Sequence, residues 1–353
     1  MPLRTFASDN AAPAHPRVLQ AIVNANSGHA VSYGADDWTA RATRRFQTVF
    51  GDDSDVYFTF NGTGANVMAL SSLLRPYEAV ITPSSSHLHT DECGAFERFS
   101  GSKILPVSTA DGKLRIADLE PYLHSSKEEH HVQPRVISIS QSTEYGGVYE
   151  LAELTELCAF AHDKGLLVHM DGARISNATA ALGGALRAGT RDAGVDVLTF
   201  GGTKNGMLFG EAVLYFDKRL HNGGARFARK QSMQLASKMR YIAAQFDALL
   251  EDDLWLANAR HANAMAQFLE ARVRVIPGVQ IQYPVRCNAI FARLPAHALA
   301  TLQSQFFFYV FDELNSEVRW MTTYETTPDD IEAFGSAIEA CLAVQSPRRA
   351  VLK

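Results

Sequence analysis

Short apolar runs separated by helix-sized segments constrain the fold of this chain most strongly. Seven runs are rich in β-branched and aromatic residues, and each has the length of one strand: 55–60, 79–82, 103–107, 135–140, 166–170, 196–200 and 212–216. Continuous apolar strands are typical of parallel sheets that helices cover on both faces. The pattern therefore predicts a doubly wound α/β domain with a mostly parallel, seven-stranded sheet.

The pattern of apolar and polar residues changes after the last of these runs. A long helical tract is predicted from Ala225 to Ala271, and shorter β-rich runs with two helices follow the Pro-Gly-Val turn at 277–279. One of those helices is expected to start with Pro328 at its first position. We therefore predict three parts: an extended N-terminal segment (1–20), a large domain (21–270) and a small α+β C-terminal domain (271–353).

Composition narrows the classes of function. Of the 353 residues, 46% are hydrophobic and 20% are charged, and the net charge of −5 with no long basic block argues against nucleic acid or a membrane surface as a partner. The start MPLRTFASDN has no apolar signal core, so we expect a cytoplasmic protein. The four cysteines lack metal-ligand spacing, which predicts reduced thiols and no metal site.

A Gly-rich turn follows the first predicted strand. In FTFNGTGANVMAL (58–70), the turn runs from Asn61 through Gly62, Thr63 and Gly64, and a helix is expected to begin at Ala65 or Asn66. Glycines let backbone amides approach an anion, and a helix N-terminus adds partial positive charge. The motif predicts a phosphate cup, although a plain tight turn has the same local sequence. It is neither a Walker loop nor a GxGxxG motif.

A lysine lies in a small-residue turn between two apolar strands. Lys204 belongs to GGTKNG within the stretch 196–216. Burial of an ammonium without a partner is costly, so packing alone does not explain a lysine here. A Schiff-base role explains it.

A carboxylate ends an earlier strand, 33 residues before that lysine. In LLVHMDGARISNA (166–178), Asp171 is placed at the carboxyl edge of the sheet, where ligands of α/β proteins bind, and Arg174 follows three residues later. Asp171 could keep a pyridine nitrogen protonated, and Arg174 could clamp a carboxylate with two hydrogen bonds. A helix cap and a surface arginine are the plainer alternatives. Strand–Asp and strand–Lys at this spacing are typical of pyridoxal-phosphate (PLP) enzymes with the aspartate-aminotransferase fold.

Together these motifs resemble the threonine aldolase family of the β-eliminating lyase group, which has fold type I and uses PLP. The similarity runs from Phe6 to the C-terminal helix. The matching elements are FASDN (6–10), SYGADDWTARA (32–42), NGTGAN (61–66), HMDGAR (169–174) and GGTKNG (201–206).

The resemblance implies roles for individual residues. Lys204 would form the Schiff base, Asp171 would face the pyridine nitrogen and His87 would stack on the ring. The remaining cofactor-binding residues would be Gly62, Thr63, Gly64, Arg174 and Thr203. The substrate carboxylate would be held by Ser8, Arg174 and Arg319, and Tyr33 would lie near the mouth of the site across a dimer interface.

The chain departs from the family pattern after the fourth predicted strand. Where many members have a histidine in a Thr-His-Asn-Gly turn, this chain reads STEYGG, so Glu144 takes that position. Glu144 could accept the substrate β-hydroxyl proton, or it could be a solvated turn residue while His87 takes the proton. His89 and Glu92 are weaker candidates for the same pocket.

The resemblance also implies a reaction and an assembly. The expected reaction is retro-aldol cleavage of L-threonine, L-allo-threonine and related β-hydroxy-α-amino acids to glycine and an aldehyde. Alternatives are a phenylserine-type aldolase, another PLP reaction on the same fold, and a non-catalytic binding module. A homotetramer with shared sites is expected, and the basic residues that could reach a neighbouring site are Lys230, Lys238 and Arg240.

Overall fold

The large sheet contains all seven predicted strands. The computed structural model describes residues 4–124 and 128–343. The strands are β1 (Asp55–Thr59), β2 (Glu78–Pro83), β3 (Lys103–Val107), β4 (Gln133–Ser140), β5 (Leu167–Gly172), β6 (Val197–Gly201) and β7 (Glu211–Tyr215). Their order is β1-β7-β6-β5-β4-β2-β3, and β7 runs in the opposite direction to the other six strands of this sheet. The predicted mostly parallel, seven-stranded sheet is confirmed.

Helices cover both faces of this sheet. They are α1 (Pro16–Ala25), α2 (Asp37–Phe50), α3 (Gly62–Ser71), α4 (His87–Thr90), α5 (Ala95–Ser100), α6 (Ile116–Leu123), α7 (Leu151–Asp163), α8 (Ile175–Ala181), α9 (Ala225–Gln231), α10 (Arg240–Leu250) and α11 (Leu254–Arg274). Apolar residues of α2, α7 and α10 pack on one face, and those of α3, α5 and α9 pack on the other. Alternate strand residues serve the two faces, which explains why the strands read as continuous apolar runs.

The predicted helical tract from Ala225 to Ala271 is broken in the structure. Helix α9 ends before Met233, whose φ of +61° lies in the left-handed region. A second break lies between α10 and α11, where Asp252 and Asp253 also have positive φ. Left-handed residues end a right-handed helix, so the predicted helical tract is divided into α9, α10 and α11.

A second, antiparallel sheet forms the C-terminal unit. Its strands are β8 (Gln280–Ile281), β9 (Ala289–Arg293), β10 (Tyr309–Asp312) and β11 (Glu317–Met321), in the order β10-β11-β9-β8, and its helices are α12 (Ala296–Gln303) and α13 (Pro328–Ala343). Helix α13 begins at Pro328, as predicted. One face of the sheet packs on α11 and α13 around Trp320 and Phe334.

The N-terminal segment joins the two parts of the fold. Phe6 is fully buried in the C-terminal core, and its amide and carbonyl bond to Phe307 and Met321. Helix α1 begins at Pro16, within the predicted N-terminal segment 1–20, and the predicted division into three parts stays a prediction. In residues 4–124 and 128–343, no helix is long and apolar enough to span a membrane.

Candidate active site

The phosphate cup forms at the start of α3. The helix begins at Gly62 rather than at the predicted Ala65 or Asn66, because the Asn61 side chain caps it by accepting a hydrogen bond from the Gly64 amide (2.8 Å). The first amides of a helix have no acceptor within it, so those of Gly62 and Thr63 are left to bind an anion.

A distant glutamine supports the cup. Gln234 Oε1 accepts a hydrogen bond from the Phe60 amide (2.9 Å), and its side chain lies directly against Gly64. A Cβ atom at Gly64 would lie 2.2 Å from the Gln234 amide, whereas one at Gly62 would meet nothing within 4 Å. Because Gly64 has no side chain, the segment 232–239 can pack against the cup.

Asp171 lies at the carboxyl end of β5, as predicted. Its Oδ1 accepts a hydrogen bond from the Ala173 amide (2.9 Å), and its Oδ2 accepts one from Asn66 Nδ2 (2.8 Å). Burial works to raise its pKa, but these hydrogen bonds and the nearby His169 and His87 outweigh burial, and the pKa is lowered. Asp171 is therefore a stable buried anion.

The Lys204 turn sits beside Asp171 at the end of β6. A Cβ at Gly201 would lie 2.4 Å from the Ala173 carbonyl oxygen, so a residue without a side chain allows the two strand ends to approach closely. The amine of Lys204 makes no hydrogen bond or ion pair within residues 4–124 and 128–343. Its charge interacts with the carboxylates of Asp9 and Glu211.

Glu211 supports this turn from the first position of β7. Its carboxylate accepts hydrogen bonds from the Gly202 amide (3.0 Å) and from the Thr203 hydroxyl (2.8 Å). The same hydroxyl accepts a hydrogen bond from the Gly210 amide (3.1 Å). Full burial raises the pKa of Glu211 to about 7, and the Thr203 bond and the charge of Lys204 oppose this rise. The cofactor role expected for Thr203 stays a prediction, since its hydroxyl is engaged here.

His87 lies at the start of α4, and its side chain is hydrogen-bonded to Glu92. Nδ1 of the imidazole is 3.0 Å from Glu92 Oε1, and this hydrogen bond raises the pKa of His87 despite partial burial. The charges of Asp171 and Glu144 act in the same direction. Asp171 and Glu144 therefore lie close enough to His87 for their charges to favour its protonated form.

Arg174 has a partner that the sequence did not suggest. Its Nε and Nη2 donate to the two carboxylate oxygens of Asp9 at 2.7 and 3.0 Å. The expected bidentate clamp cannot form through this edge of the guanidinium, because Asp9 occupies it. Asn288 also donates to Asp9 (3.1 Å), and Ser8 Oγ accepts from the Asn10 amide (3.2 Å). The N-terminal segment thus brings Asp9 to the site, and the substrate contact expected for the adjacent Ser8 stays a prediction.

Arg319 on β11 is the second arginine of the site. Burial and the positive charge of Arg174 lower its pKa, while Asp9 and Glu144 act to raise it. Its buried Nε has no hydrogen-bond partner within the described residues. Two neighbouring guanidinium groups, one with an unsatisfied donor, are suited to binding an anion such as a carboxylate.

The remaining predicted residues lie on one outer surface. Tyr33 is 53% exposed, its amide donates to the Ser237 carbonyl (2.9 Å), and Lys230 Nζ lies 5.6 Å from its ring. Arg240 donates to the Gly28 carbonyl (3.1 Å), and Lys238 is exposed. None of these contacts reaches Lys204, so their roles stay predictions.

The residues present fit PLP. The amides at the start of α3 suit its phosphate, the buried Asp171 carboxylate suits a protonated pyridine nitrogen, and the amine of Lys204 suits its aldehyde. Ring stacking would fall to His87. Fold and site together define a PLP enzyme of fold type I.

Comparisons with known proteins agree with this class. Residues 5–296 match the family model described as β-eliminating lyase. A low specificity L-threonine aldolase from a Pseudomonas species is 43% identical over 340 residues, covering 96% of this chain and 98% of the relative. One from Pseudomonas aeruginosa is 44% identical over 329 residues, covering 93% and 94%. A Leishmania major threonine aldolase structure superposes with a TM-score of 0.89 at 31% identity, covering 97% of this chain and 99% of that one.

This chain belongs to the β-eliminating lyase family. It is a PLP-dependent lyase, and the resemblance to threonine aldolases is confirmed.

Four residues of the site lie outside the sequence predictions. Asp9, Asn66 and Glu211 hydrogen-bond the predicted residues Arg174, Asp171 and Thr203, and Gln234 hydrogen-bonds the Phe60 amide beside the cup. Asp9 and Asn66 stand inside the motifs FASDN and NGTGAN, so their polar side chains in mostly apolar surroundings were an available signal. Glu211 opens an apolar strand and could have been found in the same way. Nothing local marks Gln234.

Proposed function

We propose that this protein cleaves L-threonine, L-allo-threonine and related β-hydroxy-α-amino acids to glycine and an aldehyde. The observation that carries the proposal is the convergence of Lys204, Asp171 and the arginine pair at one edge of the sheet. The names of the two Pseudomonas relatives support the same substrates.

The substrate carboxylate would bind between Arg319 and Nη1 of Arg174, the guanidinium nitrogen that does not bond Asp9. The unsatisfied Nε of Arg319 supplies a donor, and Ser8 adds a hydroxyl from the N-terminal segment. Asp9 keeps Arg174 fixed by its two hydrogen bonds, so the guanidinium needs no reorganisation when substrate binds. This anchoring would orient the Cα–Cβ bond for cleavage.

Proton transfer would fall to Glu144 and His87. The hydrogen bond to Glu92 makes His87 hold its proton more tightly, so His87 suits the role of a hydrogen-bond donor to the β-hydroxyl oxygen. Glu144, which faces the same charges, would accept the hydroxyl proton as the Cα–Cβ bond breaks and the aldehyde leaves. PLP, when bound, supplies the electron sink that takes up the bonding pair. Return of a proton to Cα gives glycine.

One observation favours a preference for aromatic side chains. Tyr145, next to Glu144, packs against Tyr283, Phe291 and Phe311 with ring centroids 4.9 to 6.1 Å apart. Phe291 is the register partner of Arg319, so their side chains share one face of the small sheet. A phenylserine-type aldolase is therefore the second candidate.

The assembly and the location are further parts of the proposal. Exposed apolar side chains cluster near Tyr33 and the cup: Val31, Phe60, Leu208 and Met233. Such a surface supports a homotetramer in which Tyr33 and a basic residue of 225–240 reach a neighbouring site. The four cysteines are free thiols, which supports a cytoplasmic location.

Product analysis tests the reaction. The PLP-loaded protein is incubated with L-threonine, L-allo-threonine, L-phenylserine and D-threonine, and aldehyde and glycine are quantified separately. Equal amounts of both from the L-substrates are expected, with Glu144→Gln slowing release about 10²-fold or more. A 2-oxo acid from β-elimination (2-oxobutanoate from threonine, phenylpyruvate from phenylserine), racemised substrate or no aldehyde from any substrate would refute the proposal and favour another PLP reaction. A faster reaction with L-phenylserine than with L-threonine would favour the second candidate.

A further inference from the structure

A buried hydrogen-bonded chain connects Asp171 to His87. Asn66 Nδ2 donates to Asp171 Oδ2 and to Glu92 Oε1, both at 2.8 Å, and Glu92 Oε1 lies 3.0 Å from His87 Nδ1. The Glu92 side chain is fully buried, whereas the His87 side chain is 35% exposed. Neither Asn66 nor Glu92 is assigned a contact with the substrate in the proposed chemistry, so their burial beneath it requires an explanation.

The direction of these hydrogen bonds is fixed by chemistry. An amide NH2 group can only donate, so Asn66 gives one hydrogen to each carboxylate. Glu92 Oε2 is buried without a hydrogen-bond partner in the described part of the chain. A proton on Oε2 would be left without an acceptor, so any shared proton lies between Glu92 Oε1 and His87 Nδ1. The other imidazole nitrogen, Nε2, is then the one that exchanges protons with the site.

We propose that Glu92 is a positioning residue that fixes the ring orientation and proton distribution of His87, and that Asn66 anchors Glu92 to Asp171. The same logic operates wherever a buried carboxylate orients a catalytic imidazole. The proposal rests on the proposed function for the role of His87 in the reaction. The hydrogen bonds that the proposal invokes all lie within one chain.

The carboxylates around His87 all act to raise its pKa. Burial raises the pKa of Glu92, and the neighbouring Asp171 adds to this rise, while the hydrogen bonds from His87 and Asn66 oppose it. His87 faces Glu92, Asp171 and Glu144, and all three carboxylates favour its protonated form. Loss of the Glu92 charge therefore makes His87 easier to deprotonate.

The test measures His87 directly in the protein without cofactor. Diethyl pyrocarbonate modifies the neutral imidazole, and peptide mass spectrometry follows modification at His87 from pH 5 to 9. The wild-type midpoint is expected above the ordinary histidine value of 6.5. In Glu92→Gln, which keeps the size and an acceptor oxygen, the midpoint is expected to fall by about 1 to 3 units.

Two controls show whether the shift in the His87 midpoint is specific to the loss of Glu92. Glu97→Gln removes an exposed carboxylate on the neighbouring helix α5 and should leave the His87 midpoint unchanged. The exposed His29 serves as an internal reference in every digest.

A second variant keeps the proposal falsifiable if Glu92→Gln fails to fold. Asn66→Ala removes only the two amide hydrogen bonds, raises the pKa of Glu92, and should lower the His87 midpoint by less than Glu92→Gln. An unchanged His87 midpoint in the variants that fold would overturn the proposal. Because no turnover is measured, a protein that releases no aldehyde would refute the proposed function and still give a decisive result here.

Discussion

Replacing Glu211 by glutamine should change how the stability of this protein depends on pH. Burial raises the pKa of Glu211 from 4.5 to about 7. Between these values the folded protein holds a proton that the unfolded chain releases, so the free energy of unfolding falls as the pH rises. A rise of about 2.5 units corresponds to about 3 kcal/mol, lost progressively from about pH 4.5 to above pH 7.

The glutamine variant lacks this titration but can keep both hydrogen bonds. Its carbonyl can accept from Gly202, and its amide can donate to the Thr203 hydroxyl. Near pH 4.5 Glu211→Gln and wild type should have similar stability. At pH 8 the variant should be more stable by about 3 kcal/mol, or about 4 °C in melting temperature for a chain of this length.

Thermal unfolding of the cofactor-free protein at fixed protein concentration measures this difference from pH 5 to 8.5. Glu120→Gln, which removes an exposed carboxylate, should leave the wild-type profile unchanged. Parallel profiles for wild type and Glu211→Gln would refute the reasoning, because they would mean that Glu211 is ionised throughout this range in the folded protein.

Three further substitutions test the packing and the charge pairing of the site. Gly64→Ala should destabilise the cofactor-free protein by about 1–3 kcal/mol, since its Cβ must displace Gln234, whereas Gly62→Ala should be neutral or stabilise by up to about 1 kcal/mol. Equal melting temperatures for the two variants would contradict this account. Asp9→Asn leaves the buried Arg174 guanidinium without a compensating charge and should reduce the free energy of unfolding by about 3–5 kcal/mol in urea titrations. A loss below about 1 kcal/mol would mean that the pair contributes little.

The architecture was predictable because its signals are local. Each of the seven strands is a continuous apolar run that ends at polar or glycine residues, and Pro328 marks a helix start by its own geometry. Asp171 and Lys204 could be placed at the sheet edge because Asp171 directly follows such a run and Lys204 lies in the short turn after the next one. The family resemblance then supplied the expected roles.

The errors arose where a side chain or a backbone conformation changed an element boundary. Asn61 caps α3 and moves its start to Gly62, and positive φ at Met233 and Asp252 interrupts the helical tract. A hydrophobic pattern does not encode either effect.

The contacts of Asp9 and Gln234 could not be predicted from the sequence, for a different reason. Asp9 meets Arg174 across 165 residues of sequence, and Gln234 meets the Phe60 amide across 174. Such pairs are set by the tertiary fold, so no local pattern identifies the partner.

The central claim is that Lys204 is the residue that binds PLP covalently, and borohydride trapping tests it most directly. The PLP-loaded protein is reduced and digested, and the modified peptide is sequenced by mass spectrometry. The account predicts one label, on Lys204, and loss of the visible absorbance band together with at least about 10³-fold lower turnover in Lys204→Ala. A label on another lysine, or an unchanged absorbance band in Lys204→Ala, would contradict it.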